Sequence, residues 1–261
     1  MVNKMNNIPD KLEDNLIKTK LEQFKNSFTE NFLLPQLSEK ELAKTIDHTL
    51  LKPDATESEI LKLCNEAKQF EFASVCVNPC WVDFCFNQLK ETNVKVCTVI
   101  GFPLGANHTN TKILEAETAI SDGAEEIDIV INIGQLKSKN YNYVFNEIEK
   151  ISHIAKRSLT ITKVILETCL LTDEEKIIAS IISREAGADF VKTSTGFSKG
   201  GATVFDVALM NYSVEGKIKV KASGGVRSKD DALKMIAAGA SRIGTSSGVK
   251  IIQGEKGIAG Y

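Results

Sequence analysis

Short apolar runs recur along the chain from about Leu42, and amphipathic helical patterns lie between them. The runs are "DHTLL", "FASVCV", "VKVCTVI", "EEIDIVI", "TKVILET", "ADFVKTS", "IKVKASG" and "SRIGTSS". Strands that alternate with helices form βαβ units and a parallel sheet. Eight strands in a chain of 261 residues favour a closed barrel over an open doubly wound sheet. The pattern therefore predicts an α/β protein, a (β/α)8 TIM barrel.

Residues 1–38 have a different pattern, rich in Lys, Asn and Glu. Their apolar positions are spaced three to five residues apart, which predicts one or two amphipathic helices. These positions are Leu12, Leu16, Leu21, Phe24, Phe28 and Phe32. We therefore expect two units, an N-terminal helical extension over residues 1–38 and a barrel domain over residues 39–261.

The boundaries of several barrel helices are marked by capping residues. Thr56 is followed by Glu59 three residues later, a capping-box pattern at a helix start. A second helix is expected to begin at Thr172 or Asp173 and to end at Gly187, because glycine is favoured just after a helix.

A weak repeat places three residues at equivalent points of three strands. "GAEEID", "GADFVK" and "GASRIG" share a glycine and an alanine before the strand, and their sixth residues are Asp128, Lys192 and Gly244. Equal offsets predict similar heights and the same facing in the barrel. Asp128 and Lys192 are thus expected near the carboxyl ends of the strands, where barrel enzymes carry their catalytic groups.

Two lysines close to the ends of apolar strands are candidates for amine chemistry. Lys192 follows "DFV", and Lys221 lies in "IKVKASGG", where apolar and lysine residues alternate. A free lysine amine is protonated at pH 7, since its ordinary pKa is about 10.4, but burial and a second ammonium favour the neutral form. A neutral lysine forms a Schiff base with a carbonyl, and a carboxylate such as Asp128 can shuttle the protons. Either lysine alone could instead extend its ammonium to solvent.

Glycine and hydroxyl residues follow the late strands in "STGFSKGG", "SGGVR" and "GTSSG". Backbone N–H groups of such turns bind phosphate, and in barrels this site often follows the last two strands. Gly224, Gly225, Ser246 and Ser247 are therefore candidates for a phosphate pocket. Ordinary turn formation is the alternative reading of these residues.

Composition and charge limit the classes of partner. The net charge of −2 gives no basic surface for nucleic acid, and no apolar run approaches the roughly 20 residues of a membrane span. The first residues lack the apolar core of a secretory signal. Six scattered cysteines fit a reducing compartment, so a cytoplasmic location is expected.

Eight segments taken together resemble the 2-deoxyribose-5-phosphate aldolase family, whose members are Schiff-base (class I) aldolases. These segments are "TIDHTLLKPDAT", "VCVNP", "TVIGFPLG", "EIDIVINIG", "KVILET", "DFVKTSTGF", "KASGGVR" and "GTSSG". The resemblance runs from about Leu42 to Gly248. It implies that Lys192 forms the Schiff base, that the charge of Lys221 favours the nucleophilic amine, and that Asp128 relays protons through a water. The further residues it implies are Gly196, Gly224, Gly225, Ser246 and Ser247 at the phosphate, Asp47, Thr49 and Cys76 lining the pocket, and Tyr261 as a proton relay from the tail.

The implied reaction is reversible cleavage of 2-deoxy-D-ribose 5-phosphate to acetaldehyde and D-glyceraldehyde 3-phosphate, without a metal or organic cofactor. The family often forms homodimers. One departure is Phe197, which stands where some members have a lysine, and Lys199 is the candidate substitute.

Three other readings remain open at this point. The first is a transaldolase or larger-sugar aldolase, which would keep Lys192 but use another donor. The second is a phosphate-binding barrel isomerase without a Schiff base, and the third is a barrel that serves as a binding or assembly module.

Overall fold

The computed structural model of the chain describes residues 12–257, and eight parallel strands form a closed barrel in the order of the sequence. The strands are β1 (Ile46–Leu50), β2 (Ser74–Val77), β3 (Lys95–Ile100), β4 (Glu126–Val130), β5 (Ile161–Ile165), β6 (Phe190–Lys192), β7 (Lys219–Ser223) and β8 (Ala240–Thr245). The barrel closes because β1 pairs with β8 as well as with β2. The predicted (β/α)8 TIM barrel is confirmed.

Helices lie before β1, between successive strands and after β8, and they cover the outside of the barrel. The helices are α1 (Asp14–Ser27), α2 (Glu39–Ala43), α3 (Glu57–Phe70), α4 (Val82–Leu89), α5 (Thr109–Ser121), α6 (Ile133–Lys137), α7 (Tyr141–Arg157), α8 (Asp173–Glu185), α9 (Val204–Val214), α10 (Lys229–Ala237) and α11 (Gly248–Ile252). Across residues 12–257, no helix combines the length and the apolar character needed to cross a bilayer.

The predicted capping residues begin and end the helices as expected. At the start of α3, the Glu59 carboxylate accepts a hydrogen bond from the Thr56 N–H at 2.8 Å. At the start of α8, Thr172 is the N-cap and its hydroxyl accepts from the Glu175 N–H. Gly187 follows α8 with φ of +86°, a left-handed conformation that glycine adopts without strain.

The two faces of the barrel strands have opposite character. Apolar residues such as Val75, Ile127 and Val164 are fully buried and belong to the main hydrophobic core. Residues in register on neighbouring parallel strands point to the same face. Asp128 is in register with Lys163, and Lys192 with Lys221, so the opposite face, the barrel interior, carries charged side chains. Branched apolar side chains usually fill this space, so the polar interior indicates a functional site.

The N-terminal extension contains the amphipathic helix α1, which packs across α8 and α9. Phe24 is buried, with its ring 5.4 Å from that of Phe205 and 5.5 Å from that of Tyr212. The expected apolar face is wrong at one position, because Leu16 is half exposed and Ile17 is buried instead. A helix of 3.6 residues per turn brings Ile17 rather than Leu16 onto the same side as Phe24, seven residues on. The assignment of residues 1–38 as a separate unit stays a prediction.

Candidate active site

Lys192 and Asp128 meet inside the barrel, as the repeat in the sequence predicts. The Lys192 ammonium donates to Asp128 Oδ2 at 2.8 Å, and both residues are buried. The third residue of the repeat, Gly244, faces the same space. A side chain at Gly244 would collide with the Ser223 hydroxyl and press on Lys221. Glycine at this position therefore leaves room for the second lysine.

Hydrogen bonds between the ends of β6 and β7 hold the two candidate lysines side by side. The Thr193 hydroxyl donates to the Ser223 carbonyl and accepts from the Ser223 N–H, both at 3.0 Å. Lys221 lies in register with Lys192, and its ammonium donates to the same Asp128 oxygen at 2.7 Å. The two ammonium groups therefore share one carboxylate oxygen.

Asp128 also belongs to a closed ring of ion pairs, in which cations and carboxylates alternate. The ring extends from Asp128 towards the amino-terminal ends of the strands. On one side, Lys221 lies 2.5 Å from Asp47 Oδ2, and Arg242 Nε donates to Asp47 Oδ1 at 2.7 Å. On the other side, Lys163 lies 2.8 Å from Asp128 Oδ1 and 2.6 Å from Glu126, which also pairs with Arg242 at 2.9 Å. We call these six residues the charge ring: Asp47, Glu126, Asp128, Lys163, Lys221 and Arg242.

The charge ring is neutral by itself, with three cations and three anions, and Lys192 adds a fourth cation to it. Each cation of the ring pairs with two carboxylates, whereas among residues 12–257 the carboxylate paired with Lys192 is that of Asp128 alone. Loss of the Lys192 proton would leave the cluster electrically balanced. The geometry thus singles out Lys192 as the amine that can become nucleophilic.

The shifted pKa values of Lys221 and Asp128 keep both of these groups charged. Burial lowers the pKa of Lys221, but Asp128 and Asp47 outweigh it and raise that pKa well above its usual value. Burial raises the pKa of Asp128, but Lys163, Lys192 and Lys221 lower it well below the usual range. Lys221 is therefore held as an ammonium, and Asp128 as a carboxylate.

A pocket of about 360 Å³ opens among the segments that follow β6, β7 and β8. All five residues expected at a phosphate line it, namely Gly196, Gly224, Gly225, Ser246 and Ser247. Gly224 and Gly225 have φ of +84° and +82°, which a side chain would strain. The segments after β6 and β7 also approach each other closely, since a side chain at Gly201 would overlap the Gly224 carbonyl.

Two cationic residues line the same pocket, Lys199 and Arg227. Phe197 turns towards β3, where its ring packs edge-on against Phe102 with centroids 5.2 Å apart. The chain therefore presents Lys199 to the pocket, whereas the Phe197 ring makes an aromatic contact with Phe102.

The remaining expected site residues lie at different depths. Asp47 and Cys76 are fully buried below the pocket, Asp47 within the charge ring and Cys76 in register with Cys97 on β3. Thr49 is buried at the end of β1, where its hydroxyl donates to the Asp47 carbonyl. Neither Asp47 nor Cys76 lines the pocket beyond β6, β7 and β8, and their expected place beside the substrate stays a prediction. Tyr261 lies outside the described residues.

One group of side chains has the donor types of a metal site. Cys76, Cys97 and Asp128 bring their ligand atoms within 4.8 Å of one another. Asp128, however, already contacts three ammonium groups, and Lys163 also donates to Cys97 at 3.3 Å. A metal cation at this point would face strong electrostatic repulsion. These donors do not fit a metal ion.

Three residues of the charge ring were not predicted as site residues, namely Lys163, Glu126 and Arg242. Lys163 lay inside a run read as apolar, "TKVILET", although strand alternation places it on the face opposite to that of Thr162 and Val164. Glu126 is two residues before Asp128 and shares its facing by the same rule. Arg242 is two residues before Gly244, so the repeat could have found it. The pairing between distant strands could not be found from such local spacing.

The chain is similar in sequence to known aldolases. Residues 42–254 match a family model described as DeoC/LacD family aldolase. The deoxyribose-phosphate aldolase of Thermoanaerobacter sp. (strain X514) is 61% identical over 213 residues, which cover 81% of this chain and 96% of the relative. That of Streptococcus sanguinis (strain SK36) is 59% identical over 220 residues, 84% of this chain and 99% of the relative.

A solved structure is similar in fold as well as in sequence. It is the deoxyribose phosphate aldolase from Aeropyrum pernix, described as tetrameric, with a TM-score of 0.78 and 36% identity. The superposition covers 90% of this chain and 96% of that one. The resemblance stated from the sequence motifs is confirmed.

Proposed function

Because this chain belongs to the DeoC/LacD aldolase family, we propose that it is a deoxyribose-phosphate aldolase of the Schiff-base class. It cleaves 2-deoxy-D-ribose 5-phosphate reversibly to acetaldehyde and D-glyceraldehyde 3-phosphate. The observation that carries the proposal is the position of Lys192. It is the fourth cation on a neutral charge ring, and it lies near a pocket suited to phosphate.

In the first half of the reaction, the neutral Lys192 amine attacks C1 of the open-chain sugar. The carbinolamine loses water and becomes an iminium ion. The bond between C2 and C3 then breaks, and its electron pair moves towards the iminium nitrogen to give an enamine. The C3 hydroxyl loses its proton and becomes the aldehyde of glyceraldehyde 3-phosphate.

In the second half, the enamine gains a proton at C2, and the resulting iminium is hydrolysed to acetaldehyde and free Lys192. Asp128 contacts the Lys192 amine directly, so it is placed to accept and return protons there. Burial raises the pKa of Asp128, but the three lysines around it lower that pKa well below the usual range. We therefore assign Asp128 as a proton acceptor in the resting enzyme, with Lys221 as its neighbouring ammonium.

The phosphate of the substrate belongs in the pocket beyond β6, β7 and β8. Glycine turns allow close approach of backbone to an anion, and cationic side chains add charge. Lys199 and Arg227 line the pocket alongside Ser246 and Ser247. Binding the phosphate there leaves the opposite end of the sugar, C1, to reach Lys192.

Reductive trapping tests this proposal. The protein is incubated with 2-deoxyribose 5-phosphate and reduced with sodium borohydride, and the adduct is mapped by peptide mass spectrometry. We expect one adduct on Lys192, together with release of acetaldehyde. Unphosphorylated 2-deoxyribose should be trapped more slowly, because it lacks the group that the pocket binds.

The outcomes separate the proposal from its rivals. An adduct on Lys221 would keep the reaction class and exchange the two lysine roles. Absence of both adduct and cleavage would overturn the proposal and favour an isomerase or a binding module. Trapping by a larger keto-sugar without acetaldehyde release would point to another Schiff-base aldolase.

We further propose that the protein acts as a cytoplasmic homodimer. All cysteines of the described residues are unpaired, as expected in a reducing compartment. Self-association is supported by the tetramer of the Aeropyrum pernix relative. Light scattering distinguishes a monomer of 28.6 kDa from a dimer of twice that mass.

A further inference from the structure

We propose that Arg242 is a positioning residue that acts through the charge balance of the cluster. Its guanidinium gives the cluster a net charge of one positive, and this excess charge makes Lys192 the group that loses its proton. The inference rests on the proposed function, since it concerns the nucleophile of that reaction. Arg242 reaches Lys192 only through other residues of the charge ring.

The first connection from Arg242 to the nucleophile runs through β1 and β7. The guanidinium pairs with Asp47 on β1, with Nε 2.7 Å from Oδ1. The other oxygen of Asp47 lies 2.5 Å from the Lys221 ammonium. Lys221 in turn donates to Asp128 Oδ2, the atom that accepts from Lys192.

The second connection runs through β4 and β5. Arg242 donates to both oxygens of Glu126, at 3.1 and 2.9 Å. Glu126 lies 2.6 Å from Lys163, which contacts the other oxygen of Asp128. Arg242 therefore closes the ring at the point opposite Asp128.

The charges of the cluster can be counted because its members are known on every strand that faces it. The carboxylates are Asp47 on β1 and Glu126 and Asp128 on β4. The cations are Lys163 on β5, Lys192 on β6, Lys221 on β7 and Arg242 on β8. From β2, the neutral Ser74 hydroxyl donates to Asp47, and the Cys76 thiol lies within 4.8 Å of the Asp128 carboxylate. From β3, the Cys97 thiol donates to Asp128.

With Arg242 present, four cations face three carboxylates, and release of one proton restores neutrality. Without Arg242, three lysines would face three carboxylates, and release of a proton would leave a buried negative charge. Buried unpaired charge is unfavourable. Loss of Arg242 should therefore hold Lys192 as an ammonium, although no atom near the substrate has changed.

The experiment measures the pH dependence of kcat/KM for cleavage of 2-deoxyribose 5-phosphate in the wild type and in Arg242→Met. We expect the acidic limb of the profile to move to higher pH by roughly one unit, because loss of a buried cation favours the protonated amine even though the two groups do not touch. Borohydride trapping at pH 7 should fall accordingly and recover as the pH is raised.

Three further variants keep the test decisive if Arg242→Met folds poorly. The double variant R242M/E126Q has three lysines against two carboxylates and should return the acidic limb towards its wild-type position. Arg242→Lys keeps the charge and should keep the limb in place. Lys95→Met removes an exposed cation at the start of β3, paired outside the ring with Glu125, and should not move the limb.

The outcomes distinguish this inference from the proposed function. If the wild type neither cleaves the sugar nor traps it, the proposed function fails. If the wild type is active and folded Arg242→Met keeps the wild-type profile, the charge-balance role is overturned. It is also overturned if R242M/E126Q moves the limb no less than Arg242→Met does.

Discussion

Two groups of buried charges in this molecule differ in one respect, their balance. Between α5 and α7, Lys112 pairs with Glu147 at 2.7 Å, and both side chains are fully buried. Lys112 also donates to the Val130 carbonyl, and Glu147 accepts from the Thr109 hydroxyl. Inside the barrel, the charge ring is equally well paired but carries Lys192 in addition.

The difference in balance gives a physical reason why Lys192, and not Lys112, is the proposed nucleophile. One cation against one anion leaves no proton that can be released without creating an unpaired buried charge. Four cations against three anions leave one such proton. Burial alone, which Lys112 and Lys192 share, does not distinguish the two roles.

Removal of Lys192, the cation that the barrel interior carries in addition to the charge ring, should have the largest effect on activity. Lys192→Met is expected to lower kcat for sugar cleavage by about 10⁴-fold or more, because the nucleophile is lost. The same variant should not lower the thermal midpoint, since the ring that remains is neutral. Steady-state kinetics and calorimetry on one preparation measure both quantities.

Lys219→Met is the matched control, because Lys219 is exposed at the other end of β7 from the pocket. It should retain cleavage and trapping. A Lys192→Met protein that still forms a borohydride adduct elsewhere and cleaves the sugar would contradict the assignment of the nucleophile.

Breaking the Lys112–Glu147 pair should lower stability and leave the catalytic rate nearly unchanged. Lys112→Met leaves the Glu147 carboxylate buried without its ammonium, which is expected to cost about 3–5 kcal/mol of unfolding free energy. Urea unfolding measures the loss. The kinetic constants of the folded fraction should change little, since the pair lies outside the barrel interior.

The double variant K112M/E147L provides the control, because an apolar pair of similar volume removes both charges. It should recover much of the lost stability. If Lys112→Met were as stable as the wild type, the pair could not be regarded as a structural element.

Local rules predicted the fold and the centre of the site. Strand alternation and capping residues identified the eight strands and the starts of α3 and α8. The repeat ending in Asp128 and Lys192 gave the correct facing because each residue lies at a fixed offset within its strand.

The charge balance could not be predicted in the same way. It depends on Lys163 and Arg242, which meet the carboxylates of β1 and β4 only after the barrel has closed. Such pairings are properties of tertiary structure and leave no local pattern.

An exposed ion pair on α1 gives the smallest expected effect and completes the comparison. Lys20 lies 2.7 Å from Glu215, whose side chain is 43% exposed. The hydrogen bond from Lys20, with Arg184 nearby, lowers the pKa of Glu215 from 4.5 to about 2. A carboxyl whose pKa is lower in the folded state contributes stability above its unfolded pKa and loses it as the pH falls.

The contribution of Glu215 should therefore be present above about pH 4.5 and disappear as the pH falls towards 2. Because solvent screens the pair, Lys20→Met should cost under about 1 kcal/mol at pH 7. Urea unfolding of the wild type and Lys20→Met at pH 7 and at about pH 3 checks this, and the difference should shrink at the lower pH. A loss as large as that of Lys112→Met would mean that pairing, and not burial, sets the cost of a broken ion pair in this protein.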